Sequence, residues 1–311
     1  MKIDSKPQYA PGISEFIDKV NSVYPPDSYK KDISIQRALY SELGEAFPVP
    51  EVTDVSSRDV IVPHFNVEKK MRIYTPKNIK KDGILVYIRG GGFVLGNLET
   101  HDKLVAELCS NTGLVTIAAD FRMSPESKFP SALEDCYDII NYISLNKEAL
   151  NLKGNIVLCG ESSGANMIVS LCMLCRDRNG PLISGQALIS PLLDFHRWKH
   201  GGEDAPLLTG GEMEFYTSCY ANQDELTNVF VSPLINGKFH NLPPAYIMGA
   251  EVDSLLIDSV EYHNRLQENN IQSELVIEKG LTHAAVRARG VSPDVHDSWI
   301  RFCKKAYDLT C

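Results

Sequence analysis

The chain has 311 residues, 43% of them hydrophobic, enough to bury a large core as one elaborated α/β domain or as two domains. Its net charge is −9, and its short basic clusters at Lys30-Lys31 and between Lys77 and Lys81 sit beside Asp32 and Asp82, which argues against a nucleic-acid partner. No run approaches the ~18–20 apolar residues of a membrane span, and the opening MKIDSKPQYAPGISEF has no apolar stretch of the kind an export signal carries.

The first 50 residues read as helical. ISEFIDKV has apolar residues at 13, 16, 17 and 20, ISIQRALYSEL repeats the spacing, and Pro25-Pro26 separates the two. DVIVPHF and KMRIYTP then read as an extended, hairpin-like pair. GILVYIRG is a short continuous apolar run, as buried parallel strands are. HDKLVAELCSNTG reads as a helix ending at Gly113, and LVTIAAD as the next strand. SALEDCYDIINYI reads as a helix opened by Pro130 with a capping-box spacing, Ser131-x-x-Glu134.

NIVLCG, SSGANMIVSLCMLC and GQALISPLL continue as strand, helix and strand. PAYIMGAEVD, DSVEYHNRLQENN, IQSELVIEKG and VHDSWIRFCKKAYD complete the alternation as strand, helix, strand and helix. Such alternation predicts an α/β fold, a mostly parallel sheet with helices on both faces. Residues 196–231 break the pattern. They are too long for an ordinary connection, carry Leu207, Leu208, Met213, Phe215, Tyr216 and Tyr220, and are well placed to roof a site at the sheet's carboxyl edge.

The eight cysteines are scattered and mostly in apolar contexts, which predicts buried free thiols and a cytoplasmic location. Cys172 and Cys175 have metal-like spacing, but there is no second pair and no nearby histidine; on a helix they share one face and read as core.

The chemistry centres on Gly160-Glu161-Ser162-Ser163-Gly164, between a predicted strand and a predicted helix. A strand-to-helix turn of this kind exposes a serine hydroxyl above the sheet, and glycine at the flanking positions avoids a collision. The pentapeptide alone equally allows a helix-capping turn. A nucleophilic serine needs a base, and the base an orienting carboxylate. Among the histidines after Ser162, only His283 follows the last predicted strand on a loop; His196 and His200 lie in the insertion, His263 mid-helix and His296 near a helix start. Asp253, just past PAYIMGA, is the expected orienting acid, with Glu251 the fallback. Asp258-x-x-Glu261 fits a helix cap, so Asp258 reads as structural. The run Gly90-Gly91-Gly92-Phe93 after GILVYIR can turn backbone N–H groups inward; Gly91, Gly92 and Ser163 are the expected oxyanion donors.

These motifs, in this order, resemble the hormone-sensitive-lipase-like branch of the α/β-hydrolases, a group with many bacterial carboxylesterases and acetyl esterases. Arg89-Gly90-Gly91-Gly92-Phe93 stands where that family has His-Gly-Gly-Gly-Phe. Asp120-Phe121-Arg122-Met123-Ser124-Pro125-Glu126 matches its Asp-Tyr-Arg-Leu-Ala-Pro-Glu, and Gly160 to Asn166 its Gly-Asp-Ser-Ala-Gly-Gly-Asn. The resemblance runs from about residue 60 to the C-terminus. It implies an α/β-hydrolase fold with residues 51–195 and 232–311 as catalytic domain, and residues 1–50 and 196–231 as a helical cap. It also implies a serine carboxylic-ester hydrolase acting on a small-molecule ester, most simply with a short acyl chain, and needing no metal or cofactor. The same apparatus admits amide or lactone hydrolysis, and a silent binding module is the alternative from another class. A homodimer is left open. Two departures stand out: Arg89 for the motif histidine, expected to act as a structural anchor with a charged partner, and His283-Ala284-Ala285, which lacks the usual aromatic.

Overall fold

The structure is a computed structural model that describes residues 8–63 and 67–311. In chain order its elements are α1 (Ile13–Val23), α2 (Ile33–Glu45), β1 (Val55–Val62), β2 (Lys69–Pro76), β3 (Ile84–Ile88), α3 (Leu98–Thr112), β4 (Val115–Ala119), α4 (Ser131–Leu145), β5 (Ile156–Glu161), α5 (Ser163–Asp177), β6 (Ile183–Ile189), α6 (Gly210–Tyr220), α7 (Pro233–Asn236), β7 (Ala245–Val252), α8 (Leu256–Glu268), β8 (Ser273–Thr282) and α9 (Pro293–Asp308). Among the described residues, eight strands form one sheet in the order β1-β2-β4-β3-β5-β6-β7-β8. The expected hairpin is the antiparallel pair β1–β2, and β2 also meets β4 antiparallel; every other pairing is parallel. His64 and Phe65 of the expected extended pair lie outside the described residues.

The apolar runs account for the layering. Every residue of β3 and β4 is buried, as strands covered on both faces require. Successive side chains alternate faces, so Ile84, Val86 and Ile88 join one core layer while Leu85 and Tyr87 join the other. The first layer takes in α4 and α5, and α1 packs onto it through Ile13, Phe16 and Val20. The second layer is closed by α3 and by Trp299, Phe302, Cys303 and Ala306 of α9. Cys172 and Cys175 are both buried on α5, within the first layer. At the sheet edge, β1 carries the exposed, charged Arg58 and Asp59, residues that discourage pairing with another chain.

The chain leaves β3 toward β4 and then crosses back to β5 on the other side of β3. That reversal opens a crevice at the carboxyl ends of β3 and β5, where α/β sheets place ligands. Two expected caps differ. Neither α4 nor α8 has a side-chain cap: Glu134 instead pairs with Arg178, and Asp258 lies inside the first turn of α8. Asp258 is fully buried and accepts hydrogen bonds from the backbone N–H groups of Leu193 and Asp194 while pairing with Arg197. Its role is structural, as expected, but it ties down the start of the long insertion rather than a helix end. Among the described residues no helix is long and apolar enough to cross a membrane.

Candidate active site

Ser162 caps the N-terminus of α5 directly after β5, with φ 52° and ψ −121°, a strained backbone of the kind that clusters at functional sites. Its flanking glycines are sterically required. A Cβ at Gly160 would lie 2.3 Å from the carbonyl oxygen of Ile88, and one at Gly164 2.1 Å from that same oxygen. The turn is therefore clamped against the end of β3, and the serine hydroxyl is raised over the sheet beside the positive end of a helix.

His283 follows β8 and Asp253 follows β7. Their side chains and that of Ser162, distant in sequence, meet here: His283 Nε2 is 3.1 Å from Ser162 Oγ, and His283 Nδ1 is 2.8 Å from Asp253 Oδ2. Asp253 Oδ1 also accepts from the Leu255 N–H at 2.9 Å, which holds the carboxylate toward the ring. Burial pushes the His283 imidazolium toward losing its proton. The charge and hydrogen bond of Asp253, with the charges of Glu161 and Glu212, outweigh that, and the net pKa is raised. Glu251, the fallback acid, faces elsewhere: it pairs with Lys279 at 2.6 Å and accepts from the Gly280 N–H at 2.8 Å.

Gly91 and Gly92 both have positive φ, 112° and 63°. Among the described residues, the N–H groups of Gly91, Gly92 and Ser163 donate to no acceptor. The neighbouring Gly90 N–H, in contrast, donates to Glu161 Oε1 at 2.9 Å. A Cβ at Gly92 would lie 2.6 Å from the ring of Tyr216 on α6, so the insertion presses directly on the glycine loop.

Arg89 does not enter the cavity wall. It is 4% exposed, pairs with Asp120 at 3.0 Å and stacks over the Phe121 ring at 3.9 Å. Its charged partner thus comes from the motif Asp120-Phe121-Arg122, the segment after β4. Arg37 of α2 reaches the same region, donating to the carbonyls of Val94 and Ser124 and to Glu126.

One cluster was not legible in the sequence. Glu161, beside the serine, is held by His101 Nε2 at 2.9 Å, by the Gly90 N–H and by a short hydrogen bond from Tyr87. Burial works against its charge, yet its contact with His101 and these hydrogen bonds hold its carboxyl well below the usual carboxylate range, while burial pushes the His101 imidazolium itself toward losing its proton. Glu161 therefore links the serine turn to the glycine loop. The only sequence signal was its place inside the pentapeptide.

Above these groups lies a cavity of about 140 Å³. Its walls include Val20, Tyr24 and Tyr40 from the first 50 residues and Leu208, Met213 and Tyr216 from the insertion.

A serine on a strand-to-helix turn, a histidine after the last strand and a parallel sheet beneath them define an α/β hydrolase. The chain belongs to that family: a model of the alpha/beta hydrolase fold matches residues 85–287. Among particular relatives, it is 28% identical over 270 residues to the acetyl esterase of Salmonella schwarzengrund, covering 84% of this chain and 82% of that protein. Of solved structures, a thermostable esterase from Pseudomonas putida superimposes with a TM-score of 0.89 at 20% identity, covering 99% of each chain. The Pyrobaculum calidifontis esterase superimposes with a TM-score of 0.85 at 24% identity, covering 97% of this chain and 99% of the other.

Proposed function

We propose that the protein is a serine carboxylic-ester hydrolase in which Ser162 is the nucleophile, His283 the base and Asp253 the residue that orients it. The observation that carries the reading is the continuous chain from Asp253 through His283 to Ser162, at 2.8 and 3.1 Å. Asp253 keeps the proton of His283 on Nδ1, leaving Nε2 to take the hydroxyl proton as Ser162 attacks the carbonyl. The resulting oxyanion is received by the N–H groups of Gly91, Gly92 and Ser163, each such donor contributing roughly 2.7–4 kcal/mol in the transition state. His283 then returns its proton to the leaving alcohol. Water, activated by the same histidine, releases the acid from the acyl-enzyme.

The N-terminal helical region to residue 50 and the insertion 196–231 act as the cap, since residues from Val20 to Val49 and from Leu207 to Tyr216 line the cavity over Ser162. A cavity of about 140 Å³ is on the scale of one benzene-sized occupant, which favours short acyl chains, as does likeness to an acetyl esterase. Seven of the eight cysteines are buried and all are free, which favours the reducing cytoplasm as the place of action.

The test is kinetic. Wild-type protein should hydrolyse p-nitrophenyl acetate faster than the decanoate and take up a fluorophosphonate probe. Ser162→Ala should abolish both, and Ser162→Ala/His283→Ala should be no slower than the single variants, because the triad acts as a unit. Labelling that persists in Ser162→Ala would remove Ser162 from the mechanism.

A further inference from the structure

Arg287 lies four residues after His283, on the 3-10 turn Ala285–Gly290, and lines the same cavity as Ser162. Its surroundings set it apart from the other arginines. Apart from the exposed Arg58 on β1, it alone has no carboxylate at ion-pair distance among the described residues. Arg289, two residues on, is paired with Glu107 at 2.6 Å, and Lys103, also in the cavity wall, is paired with Glu45.

Among the described residues, the one hydrogen bond of the Arg287 guanidinium runs from Nη2 to the Tyr40 hydroxyl, at 2.9 Å, and the group sits over the Tyr40 ring at 4.9 Å. Tyr40 thereby spends an acceptor lone pair, and its own proton has no acceptor among the described residues. The carboxylate whose charge acts on it is Glu161, whose oxygens are already engaged by His101, Tyr87 and Gly90. Burial disfavours the charged guanidinium, but Tyr40 and Glu161 more than offset this and the group stays ionised. Between His283 and Arg287 stand Ala284, Ala285 and Val286, so small side chains flank the base on this wall.

We propose that Arg287, with the Tyr40 hydroxyl beside it, receives a carboxylate carried by the substrate, so that the preferred esters are small monoanions. This rests on the reading of Ser162 as nucleophile and names the substrate class of that site. A guanidinium presents a planar fork of N–H donors that matches two carboxylate oxygens, and the Tyr40 O–H adds one more donor. A partly buried guanidinium without its own carboxylate is costly to maintain, and a ligand anion supplies the missing partner. A monoanion is favoured over a phosphate dianion because Glu161 and Glu212 also face the cavity. Arg287 acts here as a specificity residue, with no part in proton transfer.

The experiment compares matched pairs of esters by acid release. Acetoxyacetate against 2-methoxyethyl acetate places the charge on the alcohol side; monoethyl glutarate against ethyl pentanoate places it on the acyl side. Wild-type protein should show the higher kcat/KM for the anion in at least one pair. Arg287→Gln should lower that anion-to-neutral ratio by tenfold or more, mainly through KM, and Arg287→Lys should recover part of it. Tyr40→Phe should lower the ratio by a smaller factor. Glutarate as a competitive inhibitor of neutral-ester hydrolysis should bind at least tenfold more weakly to Arg287→Gln.

A wild-type ratio at or below one in both pairs, or a ratio unmoved in Arg287→Gln, overturns the proposal. So does a stronger preference for 2-acetoxyethyl phosphate than for either carboxylate. Turnover of the neutral esters, and its loss in Ser162→Ala, reports separately on the nucleophile, so failure of the anion preference leaves that reading standing.

Discussion

Gly164→Ala isolates the geometric demand of the serine turn. The added methyl would lie 2.1 Å from the Ile88 carbonyl oxygen and 2.5 Å from that of Arg89, both backbone atoms. Ordinary contact begins near 3.4 Å, so the end of β3 and the start of α5 must separate by about 1.3 Å. Neither side gives easily. Ile88 is the last residue of a central strand, paired with Gly160 of β5, and α5 is buried along almost its whole length. Overpacking of this kind costs about 1–3 kcal/mol of stability. The displaced residues lead straight into Gly91 and Gly92, and a misplacement of about 1 Å can cost on the order of 10²-fold in rate. Gly164→Ala should therefore fold, melt a few degrees lower, and lose roughly 10²-fold in kcat on p-nitrophenyl acetate with a smaller change in KM. The assay is initial-rate kinetics alongside circular-dichroism melting, so that loss of fold is not counted as loss of chemistry. A variant with near wild-type kcat and an unchanged melt would refute the claim that the close approach of α5 to β3 sets the reacting geometry.

His283 must be neutral to act as base, and its pKa is raised above its usual 6.5, so kcat/KM should fall as pH drops through a limb lying above 6.5. Asp253→Asn removes the main upward influence and should move that limb to lower pH while reducing kcat by about 10⁴-fold; Glu251→Gln should be far milder, and a reversed order in the pH–rate profiles would reassign the acid. Arg89→Ala should lower kcat for neutral esters of every acyl length, at a stability cost below the ~3–5 kcal/mol of a fully buried pair because the Asp120 side chain is 33% exposed. Arg89→His should restore much of the rate, and a loss confined to anionic esters would show that Arg89 contacts substrate.

Most of the layering could be read in advance because it depends on local pattern. The buried strands are continuous apolar runs, the helices between them are periodic, and Gly113 ends α3 in the left-handed conformation. Ser162, His283 and Asp253 could be named because each follows a strand, and strand ends on one edge of a parallel sheet converge whatever the details of packing. The two mistaken caps show the limit of such reading: Ser131-x-x-Glu134 and Asp258-x-x-Glu261 have the right spacing, but their carboxylates found arginines from distant segments instead.

What the sequence by itself determined was the sheet, its alternation and the strand ends at which Ser162, Asp253 and His283 meet, since those follow from periodicity and from glycines that only one turn geometry requires. Tertiary structure alone decided the rest. His101 and Tyr87 come from other elements to hold Glu161 beside Ser162, Asp120 answers Arg89, and Tyr40 on α2 meets Arg287 247 residues away. Such partners are chosen by which charges the fold leaves buried without water, and no local pattern along the chain records that choice.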